Sequence, residues 1–144
     1  ADLYLLYAEA LNEYADAPTA EAYAYINTVR ERAGLPTVQD AWSQHSRNAN
    51  KYTTKDGLRS IIQQERLIAL SFEASRIWDL RRWKRAIEEQ NKIILGWNIA
   101  GVSPVEYYRL TPLFSQSLQV RDYLWPLRNN DIHINPKLVQ NPGW

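Results

Sequence analysis

Residues 65–83 read ERLIALSFEASRIWDLRRW, and the placement of charge in this stretch governs how the rest of the chain is read. At a helical period Leu58, Ile61, Ile62, Ala69, Phe72, Leu80 and Trp83 share one face, and Glu65 and Arg76 fall among them. A carboxylate or guanidinium taken out of water without a hydrogen-bonded counter-charge is costly, so the stripe predicts a polar network set into a helical core. Glu73, Arg76, Asp79 and Arg82 recur at i, i+3 spacing and supply part of that network along the helix itself. One long helix is therefore expected, capped by Thr54 and running from about Lys55 to Trp83, toward Glu89.

Upstream, Leu3, Leu6, Tyr7, Ala10, Leu11 and Tyr14 predict the apolar face of a first helix that ends near Asp16. Pro18 stops it and Thr19 caps a second, whose face carries Ala22, Ile26, Val29 and Ala33 and which ends at Gly34, with Pro36 beyond. Two amphipathic helices joined by so short a turn are antiparallel neighbours, the unit of tetratricopeptide-like folds, although no second copy recurs at a fixed period. From Thr37 to Tyr52 the periodicity fails, which predicts a polar surface loop carrying Trp42.

Downstream, Gly96, Gly101 and Pro104 mark irregular chain, and Val105 to Ser117 follows no clean period, with Pro112 interrupting any long element. Tyr123 to Leu127 reads as a short extended segment restricted by Pro126, and Asn129, Asn130 and Asp131 favour a turn. Gln140, Asn141, Pro142, Gly143 and Trp144 are turn formers closing on a large aromatic, so the tail is expected to dock, with Trp144 against the helices and the terminus a true protein end.

Hydrophobic residues make up 45% and charged residues 23%, which is globular usage and excludes collagen-like, coiled-coil and disordered classes. A net charge of +1 argues against nucleic-acid binding by counterion release, and Arg81, Arg82, Lys84 and Arg85 read as a solvated face. There is no cysteine, and His45 and His133 lie far apart, so neither a metal site nor a cofactor is expected. No apolar run reaches the roughly 20 residues that cross a bilayer, and an export signal or lipid anchor would lie outside this sequence.

Two chemistries compete for the remaining polar and aromatic residues. Glu65, Glu73 and Asp79 could act on a glycosidic bond if two carboxyls flanked a cleft at roughly 5 to 9.5 Å, but each has an Arg one turn away and reads as scaffolding. No nucleophilic serine context and no phosphate-cradling glycine loop appears. Trp and Tyr supply nearly all of the 12% aromatic content, and such rings stack on the C–H faces of sugars. The exposed-ring candidates for a ligand are Trp42, Tyr52, Trp97, Tyr107 and Tyr108.

Three blocks resemble the carboxy-terminal part of the SusD/RagB family. The first is Tyr7 to Glu13 with Ile26, Asn27, Val29, Arg30, Arg32, Ala33, Gly34 and Leu35, similar to that family's helix pair ending in an R-x-R-A-G-L phrase. The second is Glu65 to Trp83, which resembles E-R-R-x-E-L-A-F-E-G-x-R-x-x-D-L-R-R-W, with Leu67, Ala69 and Ala74 standing for the pattern's Arg, Glu and Gly. The third is Tyr123 to Pro126, then Asn135, Pro136, Leu138 and Gln140 to Trp144, where Arg128 replaces a usual second Pro.

The resemblance implies a lipoprotein on the cell-surface face of the outer membrane. It would be non-enzymatic, capturing oligosaccharide or polysaccharide and presenting it to a SusC-like TonB-dependent transporter. A peptide-binding member of the family and a glycan-cleaving α-rich enzyme fragment are the alternatives, and a cytosolic helical scaffold would need neither export nor sugar. Residues 1–144 are thus read as the carboxy-terminal region of a SusD-like protein without its amino-terminal part. The expected fold is mostly α, with antiparallel tetratricopeptide-like helix pairs, long irregular loops and a docked, turn-rich tail. Glu65, Arg66, Glu73, Arg76, Asp79 and Arg82 are assigned to a structural ion network. Nucleic acid is not an expected partner, and the membrane is met only through a lipid anchor outside this chain.

Overall fold

Three threonines set the helix starts in the first part of the computed structural model, which describes residues 1–144 as two units, Ala1–Arg76 and Ile77–Trp144. The hydroxyls of Thr19, Thr37 and Thr54 accept backbone N–H groups from Ala22, Asp40 and Gly57, each at 3.1 Å. The helices they follow or open are α1 (Asp2–Tyr14), α2 (Ala20–Arg32), α3 (Val38–His45) and α4 (Lys55–Ala69), with a 3-10 turn at Lys51–Thr53 before α4. Gly34, at φ +70°, ends α2 as a left-handed cap, and Leu35 donates back to the Arg30 carbonyl at 3.0 Å.

The core of this unit joins Leu5 and Ala8 of α1, Ala22, Ile26 and Val29 of α2, Val38 of α3, and Leu58, Ile61 and Ile62 of α4. Helices α1 and α2 form the expected pair, and α4 packs against α1. The buried face of α1 lies opposite the expected one. Leu5, Ala8, Glu9 and Asn12 are buried, whereas Leu3 and Tyr14 are 81% and 93% exposed. Small and polar residues face inward there, and the Asn12 amide N–H finds a partner although its side-chain oxygen, also buried, does not. Asn12 donates to the Lys55 carbonyl at 3.1 Å, and at the start of α1 the half-exposed Asp2 pairs with the buried Arg66 of α4 at 2.8 Å.

The stretch 37–52 is not all loop. Thr37 caps α3, Val38 is fully buried, and the Asn27 side chain holds the entry by accepting from Val38 N–H at 2.9 Å. Polar composition masked a short helix that buries one residue and is fixed by side-chain hydrogen bonds.

The expected long helix also breaks. Helix α4 stops at Ala69, and the chain turns through Phe72 and Ala74, both left-handed at φ +67° and +59°, before α5 (Arg76–Arg82) begins. Phe72 is therefore fully exposed and takes no part in a core stripe. Helix α5 closes on a third left-handed non-glycine residue, Lys84 at φ +56°, with Arg85 N–H bonded to the Leu80 carbonyl at 2.8 Å. Short α6 (Ala86–Gln90) comes next.

In the second unit the expected irregular stretch contains an antiparallel hairpin, β1 (Ile93–Trp97) with β2 (Leu110–Ser115), joined by a loop holding α7 (Pro104–Tyr107). Trp97 pairs with Leu110 and Leu95 with Pro112. The register then shifts so that Ile94 faces Phe114, leaving Leu113 as the extra residue of a bulge on β2. Two side-chain amides tie distant parts of this unit together. Asn91 exchanges hydrogen bonds with the backbone of Leu118, and Gln140 does so with Leu127, at 2.8 and 2.9 Å.

A 3-10 turn at Val120–Tyr123 and α8 (Asn129–Ile134) complete the elements. Trp144 docks on this turn and not on a helix face. Its indole N–H reaches the carbonyls of Arg121 and Leu124 at 3.1 and 3.2 Å, and the Arg121 guanidinium lies over the ring at 4.9 Å. The expected extended segment from Tyr123 to Leu127 pairs with no strand, since the one sheet holds β1 and β2 alone.

Candidate functional site

Of the five rings singled out in the sequence, the fold gathers three. Trp97 ends β1, Tyr107 ends α7, and Tyr108 follows it, and the closing of the hairpin by Asn98 N–H on the Arg109 carbonyl at 3.1 Å brings them together. Trp97 and Tyr108 stand 5.3 Å apart at 83°, Tyr107 and Tyr108 5.3 Å apart at 88°, and Trp97 and Tyr107 6.0 Å apart at 50°. The arrangement is a corner with two walls and not a flat platform. Trp97 and Tyr108 remain 54% and 62% exposed, so part of each ring is accessible.

Beside the corner is a hollow of about 300 Å³ lined by Gly101, Val102, Ser103, Pro104, Tyr107 and Tyr108. Its wall is held by local hydrogen bonds. Ser103 and Glu106 form a reciprocal capping box with Pro104 at the first helical position, and Glu106 accepts from Val102 N–H, Ser103 N–H and the Ser103 hydroxyl at 3.2, 3.2 and 3.1 Å. The Ser103 hydroxyl, and then the two backbone N–H groups, hold the Glu106 carboxyl below the usual carboxylate range. Gly101 has no side chain where a Cβ would lie 2.6 Å from the backbone of Glu106 and Tyr107, so α7 can press directly on the loop. Sequence reading missed the Ser103–Glu106 pair and the role of Gly101, although S-P-V-E is a legible capping signal.

The other two rings sit in the first unit and pack on its core. Tyr52 meets Tyr23 edge-on at 6.1 Å, and its carbonyl accepts the Tyr23 hydroxyl at 2.7 Å, while Lys51 places its ammonium 4.9 Å over Trp42. Burial raises the Tyr23 phenol above its ordinary value. A further tyrosine group lies between α1 and α2, where Tyr25 contacts Tyr4 at 5.7 Å and Tyr7 at 4.8 Å.

The charged residues divide by partner. The Glu65 carboxylate is bound by Arg30 of α2, 35 residues away, and both side chains are only 10% exposed. Arg30 also donates through Nε to the Pro36 carbonyl at 2.8 Å. Arg66 reaches Asp2, and Asp79 holds Arg82 at 2.9 Å within α5. Glu73 lies in the exposed turn between α4 and α5, outside any helix, and Arg76 opens α5. The basic run is occupied by its own neighbours. Arg81 donates to the Tyr123 carbonyl at 3.0 Å and covers Trp125, Arg82 lies over Trp83, and Arg85 pairs with Glu88 and Glu89.

Over residues 1–144 the chain matches the model of the SusD family. The chain belongs to the SusD family. Two SusD-like proteins of Formosa agariphila are 37% and 33% identical to it, over 100% and 98% of this chain. Among solved structures, a SusD-like protein from Bacteroides fragilis superposes with a TM-score of 0.78 at 31% identity, covering 99% of this chain and 24% of that one. A SusD-like carbohydrate binding protein from the same species gives 0.73 at 28% identity, covering 96% of this chain and 27% of its own. The SusD-family chain spans about a quarter of the length of the curated relatives it matches, 25% and 23% in the two cases. The mostly helical architecture with its antiparallel helix pair is that of these SusD-like structures.

Proposed function

We propose that this SusD-family protein binds glycan without cleaving it, and that the Trp97, Tyr107 and Tyr108 corner is the part of the ligand surface that residues 1–144 contribute. The observation that carries the reading is the corner itself, two half-exposed rings nearly at right angles beside a hollow of about 300 Å³. A pyranose stacked on one ring abuts the edge of the other, which selects a bend in the chain of sugars as well as an apolar face. That a solved relative is described as a SusD-like carbohydrate binding protein supports the same ligand class. A catalytic role for the carboxylates is disfavoured by their partners, since Glu65 and Asp79 are each held by an arginine.

In the wider setting the region is the carboxy-terminal part of a cell-surface lipoprotein of the outer membrane, which hands oligosaccharide to a SusC-like TonB-dependent transporter. Trp42 and Tyr52 are the weaker ligand candidates, because their packing on the core already accounts for them. Affinity electrophoresis and calorimetry against a panel of polysaccharides test the proposal. At least one polymer should retard the protein without release of reducing ends. Trp97→Ala and Tyr108→Ala should each lose about 5- to 150-fold in affinity, taking about 1–3 kcal/mol per stacked ring by analogy with aromatic stacking on nucleobases. Product release, or full affinity in both variants, would refute it.

A further inference from the structure

Helix α7 is a single turn of four residues, too short to stand on its own backbone bonds, because fixing the first turn of a helix is unfavourable. The Glu106 carboxylate makes up the difference. Its Oε2 accepts from Val102 N–H, Ser103 N–H and the Ser103 hydroxyl at 3.2, 3.2 and 3.1 Å, so three donors end on one charged oxygen, and the hydroxyl in turn accepts Glu106 N–H at 3.3 Å. The next two residues are rings of the corner. Tyr107 N–H bonds to the Ser103 carbonyl at 2.9 Å and Tyr108 N–H to the Pro104 carbonyl at 3.1 Å, so both tyrosines are carried by the turn that Glu106 closes. Trp97 is tied in from the other side. Its neighbour Asn98 donates to the Arg109 carbonyl at 3.1 Å and accepts from Gly101 N–H at 3.0 Å. All of these bonds lie within residues 98–109, so the arrangement is set locally.

We infer, on the reading of the corner as a glycan surface, that Glu106 is its positioning residue, fixing the angles among Trp97, Tyr107 and Tyr108 through the capped turn before a ligand arrives. Rings that are already set lose little freedom on binding, whereas a corner populated only part of the time binds more weakly in proportion. The charge on Glu106 ties this to acidity. Its carboxyl is held below the ordinary 4.5 by the Ser103 hydroxyl first and then by the N–H groups of Ser103 and Val102. Lys92, Arg109 and the Tyr107 and Tyr108 phenols are the other titratable groups between Asn91 and Leu118, and none of them contributes to that lowering. Protonation takes away the charged acceptor that the three donors share. The positioning is therefore complete above the ordinary value and is lost as pH falls through the depressed one.

Calorimetry with the polysaccharide that retards the native protein, between about pH 7 and pH 3, gives the first readout. Glu106→Ala should bind about fivefold more weakly at neutral pH, the equivalent of one lost helix cap. Glu106→Gln keeps a carbonyl oxygen for the same donors, so it should bind within about twofold of native there and should lack the native loss of affinity in acid. Nuclear magnetic resonance of the ligand-free protein reads the same residue without sugar. The Val102 and Ser103 amide protons should move upfield together as the native protein is acidified and stay in place in Glu106→Gln, and the ring-current shifts that Trp97 and Tyr108 impose on each other should collapse in Glu106→Ala. A native protein that binds no polysaccharide fails the glycan reading, while these spectra still decide what Glu106 does. Ring-current shifts that survive in Glu106→Ala, or an acid loss of affinity equal in the native and Glu106→Gln proteins, overturns the positioning role.

Discussion

Replacing Arg30 by methionine is the sharpest probe of the first unit. The substitution keeps an unbranched apolar stem between α2 and α4 but leaves the buried Glu65 carboxylate without its guanidinium. Breaking a buried pair from one side costs about 3–5 kcal/mol, and the lost bond from Nε to the Pro36 carbonyl adds about 1 kcal/mol. For a unit the size of Ala1–Arg76, each kcal/mol moves the melting point by about 4–8 °C, so even the low end of that cost lowers it by well over 10 °C. Removing both charges, in Arg30→Met with Glu65→Leu, takes away the stranded carboxylate as well and should recover most of the loss. Circular-dichroism melts of the native protein, both single variants and the double variant complete the cycle. Singles within about 1 kcal/mol of native, or a double equal to the sum of the singles, would refute the claim that a buried pair joins α2 to α4.

Three further outcomes rest on the backbone and on one exposed pair. Ala74→Gly should stabilise by about 0.5–1 kcal/mol, because the left-handed conformation costs alanine about 1–2 kcal/mol and glycine's extra unfolded-state entropy returns only part of that; an unchanged or lower urea midpoint would contradict it. Gly57→Ala should destabilise by about 1–3 kcal/mol in the same assay, since an added Cβ would sit 1.8 Å from the Lys51 carbonyl oxygen and force the 3-10 turn off α4. The hydrogen bond from Arg59 holds the Glu13 carboxyl below its ordinary 4.5, so its contribution is complete above that value and is lost as pH falls through the depressed one. The pair is partly exposed and is worth about 0.2–1 kcal/mol, and Glu13→Gln should remove that much of the acid dependence seen in melts between pH 6 and 3.

What the sequence made legible was what rests on local chemistry. The Thr19 cap, the Gly34 stop and the α1–α2 pair come from residue types that act within one turn. The face of α1 was misread because its inward side is Glu9 and Asn12, polar residues acceptable there only through partners such as the Lys55 carbonyl, 43 residues away. The long helix was misread because no glycine or proline marks its breaks. Phe72, Ala74 and Lys84 take left-handed conformations with side chains that disfavour them, and Ala74 sits where the family pattern has Gly. Glu65 was paired with the wrong kind of neighbour because its partner, Arg30, comes from α2, 35 residues away, and not from its own helix. At the aromatic corner, Trp97, Tyr107 and Tyr108 were named from composition, but their convergence depends on a hairpin whose strands carry a glycine, a proline and a bulge. A five-residue apolar run followed by a turn-rich loop was the signal for it.

The clasps made by Asn91 and Gln140 carry no charge. Neither high salt nor an acidified medium weakens them directly, in contrast to the bonds between Glu13 and Arg59. Their vulnerability is covalent ageing. Hydrolysis of the Gln140 amide to an acid would keep an acceptor for Leu127 N–H but set a carboxylate against the Leu127 carbonyl, turning a matched pair into a repulsive one and loosening the tail that ends in Trp144.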